Sequence, residues 1–292
     1  MKRYGLILFL FCFMGCRQEP TLTFVFVGDL MPDRGIRKTI EKQGIEPLFQ
    51  NLPYDLNAVD FTVANLECAV CDSKSLKVEK QFAFRANPEW LPEFQKHGIS
   101  IVSLANNHSN DCGESGLLQT LANVRRADMY AVGANANQAW AGAPLLISKG
   151  KIRIALFASS LLKSDSRYMC RASAVELRKR IRNYKADHPH TVIVLLLHWG
   201  MEGAAIPTTI QVKEAHDLVD AGVDVLVGTH PHVVQPVEHY KNGLIFYSLG
   251  NFIFDNNRPP ENRAMMARLE IEQGHVMVMD TVTFNVYSGY GR

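Results

Sequence analysis

The sequence predicts an α/β domain with mixed rather than purely parallel sheets, and three observations predict it. Runs rich in Val, Ile, Leu and Phe recur along much of the chain, each closed by Gly, Asn or Pro. Segments with apolar residues at helical spacing lie between them. The carboxyl-terminal part is almost entirely strand-like, which breaks the strict alternation that an all-parallel sheet requires.

The first segment, MKRYGLILFLFCFMGC, stands outside that domain. Lys2 and Arg3 form a positive start, and the apolar run from Gly5 to Met14 is too short to span a bilayer, which takes about 20 residues. A small residue precedes Cys16, an arrangement similar to bacterial lipoprotein signals, with Phe13 where that signal usually has Leu. Residues 1–15 are therefore expected to be a cleaved signal peptide, Cys16 to carry lipid, and residues 16–22 to form a short tether. The protein would then be exported and membrane-anchored in the cell envelope, with residues 23–292 as one domain.

Five apolar runs read as strands: LTFVFVGD, VDFTVANLE, ISIVSLANNH, TVIVLLLHWG and VDVLVGTHPH. Three stretches read as helices. PEWLPEFQKHG opens on Pro and closes on Gly, and ESGLLQTLANVRRA and TTIQVKEAHDLVDAG carry one apolar face each. APLLISKGKIRIALFAS predicts a hairpin turning at Lys149-Gly150-Lys151. In the basic stretch that follows, the spacing of Val175, Leu177 and Ile181 predicts a surface helix with a solvated charged face. GLIFYSLGNFIFD and RAMMARLEIEQGHVMVMDTVTFNVY complete the strands, with a turn at Gly274.

The 292 residues are 47% hydrophobic and 21% charged, an ordinary globular balance. Without Lys2 and Arg3, 29 basic residues face 29 acidic ones, so no basic footprint for nucleic acid remains. Beyond Cys16, Cys68, Cys71, Cys112 and Cys170 remain in the exported chain. CAVC is a lone CxxC without a second pair at zinc-ribbon spacing, and a bridge from Cys112 to Cys68 or Cys71 is the pairing considered.

The chemistry is concentrated at the strand ends. The five strands deliver, in turn, Asp29; Asn65 and Glu67; Asn106, Asn107 and His108, with Asp111 close behind; His198 and Glu202; and His230 and His232. Any one of these is unremarkable in isolation, since Asp after Gly caps helices and a single His usually serves structure. Recurrence of oxygen and nitrogen donors at every strand end changes the weighing, because those ends line one crevice in an α/β sheet. Carboxylates, imidazoles and an amide without thiolate suit divalent Mn, Fe or Zn, up to two ions. Two such ions, about 3.5–4 Å apart, need a bridging carboxylate and separate caps. Glu67 is the candidate bridge, Asp29, His198, His230 and His232 the caps, and Asn107 an amide-oxygen ligand. His108 suits a general acid or an oxyanion-stabilising role, oriented by Asp111. Glu202 either orients His198 or faces substrate. Asn251 is equally a site cap or a turn residue, Gln235 and Glu238 reach toward substrate less directly, and the remaining histidines are read as surface or structural.

The ordered series GD, NLE, ANNHSNDCGESG, LLLHWGMEG, GTHPHVVQPVE and YSLGNFIFD resembles the CapA family of capsule or poly-γ-glutamate biosynthesis proteins, from about Thr23 to Asp255. The resemblance implies a calcineurin-like metallophosphatase fold, a four-layer αββα sandwich with mixed sheets. It also implies membrane association and a role in making or exporting an anionic polymer. Asp29, Asn107, His108, His198, His230 and His232 match the wider phosphoesterase pattern. Met31 stands where phosphoesterases have a histidine ligand, and Glu67 where they have a bridging aspartate. The leading expectation is a metal-dependent hydrolase acting on an anionic polymer or a phosphorylated substrate. A phosphoesterase unrelated to capsule and a non-catalytic accessory subunit of a membrane synthase are the alternatives.

Overall fold

Side-chain alternation along the first strand sets the layering. In β1 (Thr21–Leu30), Leu22, Phe24 and Phe26 enter one buried cluster while Val25 and Val27 enter another, so both faces of the strand are covered. The computed structural model describes residues 20–50, 52–72, 78–163, 166–256 and 258–286. The proposed signal peptide and Cys16 lie outside the described residues. The domain starts earlier than its expected boundary: Thr21 already belongs to β1 and Leu22 is buried between the sheets, so residues 16–22 are not all tether.

The chain continues through α1 (Arg34–Gln43), β2 (Phe61–Leu66), β3 (Ala69–Val70), β4 (Arg85–Ala86), α2 (Trp90–Lys96), β5 (Ile99–Ser103), α3 (Gly113–Arg126) and β6 (Tyr130–Val132). It then forms β7 (Leu145–Lys149), β8 (Ile152–Ser160), α4 (Ala174–Asp187), β9 (Val192–His198), α5 (Thr209–Asp220) and β10 (Val225–Thr229). Last come β11 (Val237–Tyr240), β12 (Gly243–Phe246), β13 (Asn251–Ile253), β14 (Arg263–Glu272) and β15 (His275–Asn285).

Two mixed sheets result. One runs β15-β14-β1-β2-β5-β6 with β13 also paired to β1, and the other runs β11-β12-β10-β9-β8-β7. In the first, β13, β1, β2, β5 and β6 are parallel and the β14–β15 hairpin is antiparallel. In the second, β12, β10, β9 and β8 are parallel between antiparallel edges. The predicted turns at Lys149-Gly150-Lys151 and Gly274 both form.

Three apolar clusters hold four layers together. The inter-sheet core joins Phe24, Phe26 and Ile101 to Ile154, Leu156, Val194 and Val225. Behind the first sheet, Val25 and Val102 pack with Ile36, Ile40, Phe94 and Leu117 of α1, α2 and α3. Behind the second, Ile193 and Leu195 pack with Leu177 and Ile181 of α4 and with Ala215 and Leu218 of α5. Each fully buried aliphatic side chain contributes roughly 1.5–3 kcal/mol over its exposed state. The αββα sandwich with mixed sheets is therefore what the chain forms.

Two details depart from expectation. Val175 is 64% exposed, so α4 rests on Leu177 and Ile181 without it. Helix α1 was not foreseen. It begins at the Asp33 cap, whose carboxylate accepts from Arg34 N at 2.8 Å, and it buries only Ile36, Thr39 and Ile40.

Candidate metal centre

Strand register brings the polar strand ends to one level. Asp29 on β1 stands opposite Asn65 on β2 and Asn251 on β13, while His198 on β9 stands opposite Ser160 on β8 and Thr229 on β10. Glycine permits the close approaches that this needs. A Cβ on Gly28 would lie 1.8 Å from Gly250 O, and one on Gly228 would lie 2.0 Å from Tyr247 O. Past β10 the chain takes the left-handed region at His230 (φ 98°) and His232 (φ 58°), on either side of Pro231. Non-glycine residues held there are strained, and such strain clusters at ligand sites.

Glu67 is fully buried at the centre of this level. His198 Nε2 lies 3.6 Å, His232 Nε2 3.8 Å and His108 Nε2 3.9 Å from its Oε1. Asp29 Oδ2 is 3.2 Å from His232 Nδ1, and Asn107 Oδ1 is 2.8 Å from His198 Nε2. Three overlapping donor groups emerge, Glu67–His198–His230, Asp29–Glu67–His232 and Glu202–His230–His232, each with donor atoms within 4.8 Å of one another.

A surrounding set of hydrogen bonds fixes these side chains. Asn65 donates to Asp29 Oδ1 at 2.8 Å, and Asn106 donates to Asn65 Oδ1 at 3.0 Å. Thr229 Oγ1 holds His198 Nδ1 at 2.9 Å, and Asn251 Oδ1 holds His232 Nδ1 at 3.0 Å. His108 Nδ1 faces Asp111 Oδ2 at 2.8 Å, and the same oxygen accepts from Phe84 N at 2.6 Å. A carboxylate only accepts, so His108 carries its proton on Nδ1 and presents Nε2 to the pocket. Lys80 ion-pairs with Asp111 and donates to Asn107 O at 2.9 Å.

Charge states follow from these neighbours. Burial, and next the Asp29 carboxylate, push Glu67 well above the usual carboxylate range. Burial, then the nearby His230 and His232, hold His198 well below the usual imidazole value. Burial and His232 lower His230 to about 4. Burial opposes protonation of His232 as well, but Glu67 and then Asp29 outweigh it and raise His232 to about 10. His108 is lowered, chiefly by burial.

The donor set fits divalent cations, and the test is Glu67 itself. Both of its oxygens are buried and neither receives a hydrogen bond; His230 Nδ1 is in the same condition. An isolated buried carboxylate costs several kcal/mol, and cations beside it offset that cost. Asn107, His198, His230 and Glu67 would hold one ion, and Asp29, Glu67 and His232 a second. Oxygen and imidazole donors without thiolate match Mn, Fe or Zn.

The structure thus gathers Asp29, Glu67, Asn107, His108, Asp111, His198, His230 and His232. Of the two expected roles of Glu202, orienting His198 does not hold: its carboxylate lies with His230 and His232 instead. The reason is local. Gly200 (φ 90°) and Gly203 (φ 74°) bend the loop, and Gly203 N bonds Pro231 O at 2.8 Å, laying it over the histidine turn. Met31 is buried, with its sulfur 3.3 Å from Asp33 N. Glu238 accepts from Tyr247 Oη at 2.6 Å and pairs with His216 at 2.8 Å, a structural role for both. Gln235 pins the loop through Ala204 O at 2.7 Å. Sequence reasoning missed Lys80 and Thr229. Thr229 ends an apolar strand, a signal already available, whereas Lys80 lies in a stretch without periodicity.

Comparison with known proteins gives both a family and a fold. The family described as bacterial capsule synthesis protein PGA_cap matches residues 23–256. The chain is 29% identical over 287 residues to the capsule biosynthesis protein CapA of Bacillus anthracis, covering 94% of this chain and 69% of that one. It is 30% identical over 246 residues to the PGA biosynthesis protein CapA of Bacillus subtilis, covering 81% of this chain and 64% of that one. It therefore spans about two thirds of the length of these relatives. A crystal structure of a novel phosphatase from Mycoplasma pneumoniae superposes with a TM-score of 0.56 at 12% identity, covering 93% of this chain and 96% of that one. That similarity establishes the metallophosphatase-like sandwich as the fold.

Proposed function

The chain belongs to the bacterial capsule synthesis protein family PGA_cap, and from that premise we propose that it serves the biosynthesis of an anionic capsular polymer of the poly-γ-glutamate type through a divalent-metal hydrolase centre. The observation that carries this reading is the Glu67 carboxylate, buried without a hydrogen bond among His108, His198 and His232. When bound, divalent cations supply Lewis acidity, making water acidic enough to attack near neutral pH.

The remaining work falls to this chain's own side chains. Asp111 confines His108 to one tautomer, so proton exchange with a reacting group occurs at Nε2. Lys80 offsets the Asp111 charge and adds a cation beside His108. Asn65 and Asn106 hold Asp29 and the turn bearing Asn107 in register. The reaction class is hydrolysis or transfer at a γ-glutamyl or phosphoryl linkage, with His108 Nε2, unprotonated at rest, placed to take up a proton from a reacting group and return it.

In the same reading, residues 1–15 are removed and Cys16 carries a membrane anchor. The chain enters β1 at Thr21, eight residues before Asp29, which at about 3.3 Å per residue is about 26 Å away. The centre would then open away from the membrane, toward polymer and synthase partners.

Metal content of the purified protein, with incubation against a γ-glutamyl oligomer and a chromogenic phosphodiester, tests the proposal. Bound transition metal and oligomer cleavage, both lost in Glu67→Ala and His230→Ala, are expected. Absence of bound metal after reconstitution refutes the hydrolase centre. Turnover of the phosphodiester alone supports a phosphoesterase without a capsule role. Met31, a buried thioether two residues after Asp29 where phosphoesterases have a histidine ligand, favours a second reading, a non-catalytic accessory subunit. Restored polymer production by a His198→Ala/His230→Ala variant in cells would establish that reading.

A further inference from the structure

We propose that Cys71 and Cys112 form a disulfide that ties the segment carrying Glu67 to the turn carrying His108 and Asp111. Both are thiols in this structure, buried with Ala69 in a small cluster separate from the three main cores. Cys71 beside it, and then burial, hold the Cys112 thiol well above its ordinary range. They meet beneath Gly116, where a Cβ would lie 3.7 Å from Cys71 Sγ and 3.8 Å from Cys112 Sγ. A Cβ there would clash with Cys112 Cβ at 2.3 Å, so Gly116 leaves room for the Cys112 side chain on the face where the two sulfurs lie. Cys68, the other partner the sequence allowed, packs into the large cluster behind the first sheet.

The backbone around the pair is already in register. Helix α3, which Cys112 caps, grips the Cys71 segment at three points: Val70 N donates to Thr120 Oγ1 at 2.8 Å, Asn123 Nδ2 donates to Val70 O at 2.9 Å, and Asp72 N donates to Gln119 Oε1 at 3.0 Å. Ordering lost on bond formation is therefore small, and the open-chain form loses most by the constraint. Cys71 also borders a cavity of about 430 Å³ with Arg37, Asp72 and Arg85.

The oxidant is a small-molecule or protein disulfide, RSSR. The Cys71 thiolate attacks one of its sulfurs, forming a mixed disulfide and releasing RS⁻. The Cys112 thiolate then attacks Cys71 Sγ and expels the second RS⁻. Both thiol protons pass to the departing thiolates. The protein loses two electrons and RSSR becomes two RSH.

The full chain, equilibrated with oxidised glutathione, unfolded and alkylated with N-ethylmaleimide, is digested and mapped with and without reduction. The expected result is one cross-linked peptide pair containing Cys71 and Cys112, with Cys68 and Cys170 alkylated. Oxidised wild type should also melt about 5–10 °C above the reduced form. Cys112→Ser should show no oxidant-dependent shift, and if that variant does not fold, the wild-type map still decides. Alkylation of all four cysteines after oxidation, or a bridge to Cys68, overturns the proposal.

Discussion

Replacing Glu67 by Gln should move the stability of the metal-free and metal-loaded protein in opposite directions. The wild-type carboxylate is fully buried, receives no hydrogen bond and faces Asp29, and burial followed by that like charge drives it toward protonation. An isosteric amide removes the charge. At neutral pH the wild-type fold must either hold that charge or take up a proton to neutralise it, a cost that an isosteric amide does not carry, so metal-free Glu67→Gln should melt above metal-free wild type. With metal the order reverses. At a thousandfold excess over Kd, a cation stabilises wild type by about 4 kcal/mol, or about 8–16 °C for a domain of this size. Loss of a charged ligand weakens affinity by at least about 100-fold, as removal of supporting partners alone can. At about 1.4 kcal/mol per tenfold, Glu67→Gln then keeps only about a third of the metal-induced rise. Differential scanning fluorimetry after chelation, then with Mn²⁺ or Zn²⁺, reads both terms. An undiminished metal-induced rise in Glu67→Gln would refute the ligand assignment. A metal-free variant melting below wild type would refute the charge argument.

His108→Gln should keep its metal content, because His108 belongs to none of the donor groups, and lose about 10²–10⁴-fold in kcat; steady-state kinetics beside metal analysis separates the two. Asp33→Asn tests a pH-dependent term. Burial raises the Asp33 carboxyl, but hydrogen bonds from Arg85 N, Arg37 and Arg34 N outweigh it and leave the group lowered. A lowered folded-state pKa gives stability that is present above the unfolded value, about 3.9, and lost as pH falls through the folded one. The wild-type advantage over Asp33→Asn, about 1–3 kcal/mol at pH 7, should therefore shrink below about pH 4 in urea titrations. Gly28→Ala should destabilise the fold by more than about 3 kcal/mol, since its Cβ would sit 1.8 Å from Gly250 O; denaturation midpoints read this directly.

The layers and most of the centre were legible because the same physics writes both. A buried parallel strand must be apolar throughout, so the first donor after each apolar run marks a strand end, and Asp29, Glu67, His198, His230 and His232 stand out that way. Features set by tertiary context were not legible. Helix α1 is the exception among the features missed, since Ile36 and Ile40 at i, i+4 behind the Asp33 cap do carry helical spacing in the sequence. Lys80 reaches His108 and Asp111 from a non-periodic stretch. The place of Glu202 depends on two left-handed glycines and one backbone hydrogen bond, none of which follows from its distance to His198 along the chain.

Charge states are the part of the centre that residue types leave undetermined. His230 and His232 look equivalent in His-Pro-His, yet one is lowered to about 4 and the other raised to about 10. Both are buried, and burial alone would lower both. The difference is what each ring meets. His232 lies 3.2 Å from Asp29 Oδ2 and 3.8 Å from Glu67 Oε1, whereas His230 stacks near His198 with ring centroids 4.8 Å apart. In metal-free protein the imidazolium of His232 therefore supplies the positive charge beside Asp29, while burial and that same carboxylate favour the protonated form of Glu67. Asp29, Glu67 and His232 would hold a divalent cation whose charge takes the place of that of the imidazolium, and His232 would have to give up its proton to serve as a ligand. His230→Asn and His232→Asn are thus unequal substitutions: the first removes a neutral donor, and the second also leaves Asp29 and Glu67 facing each other without a counter-charge.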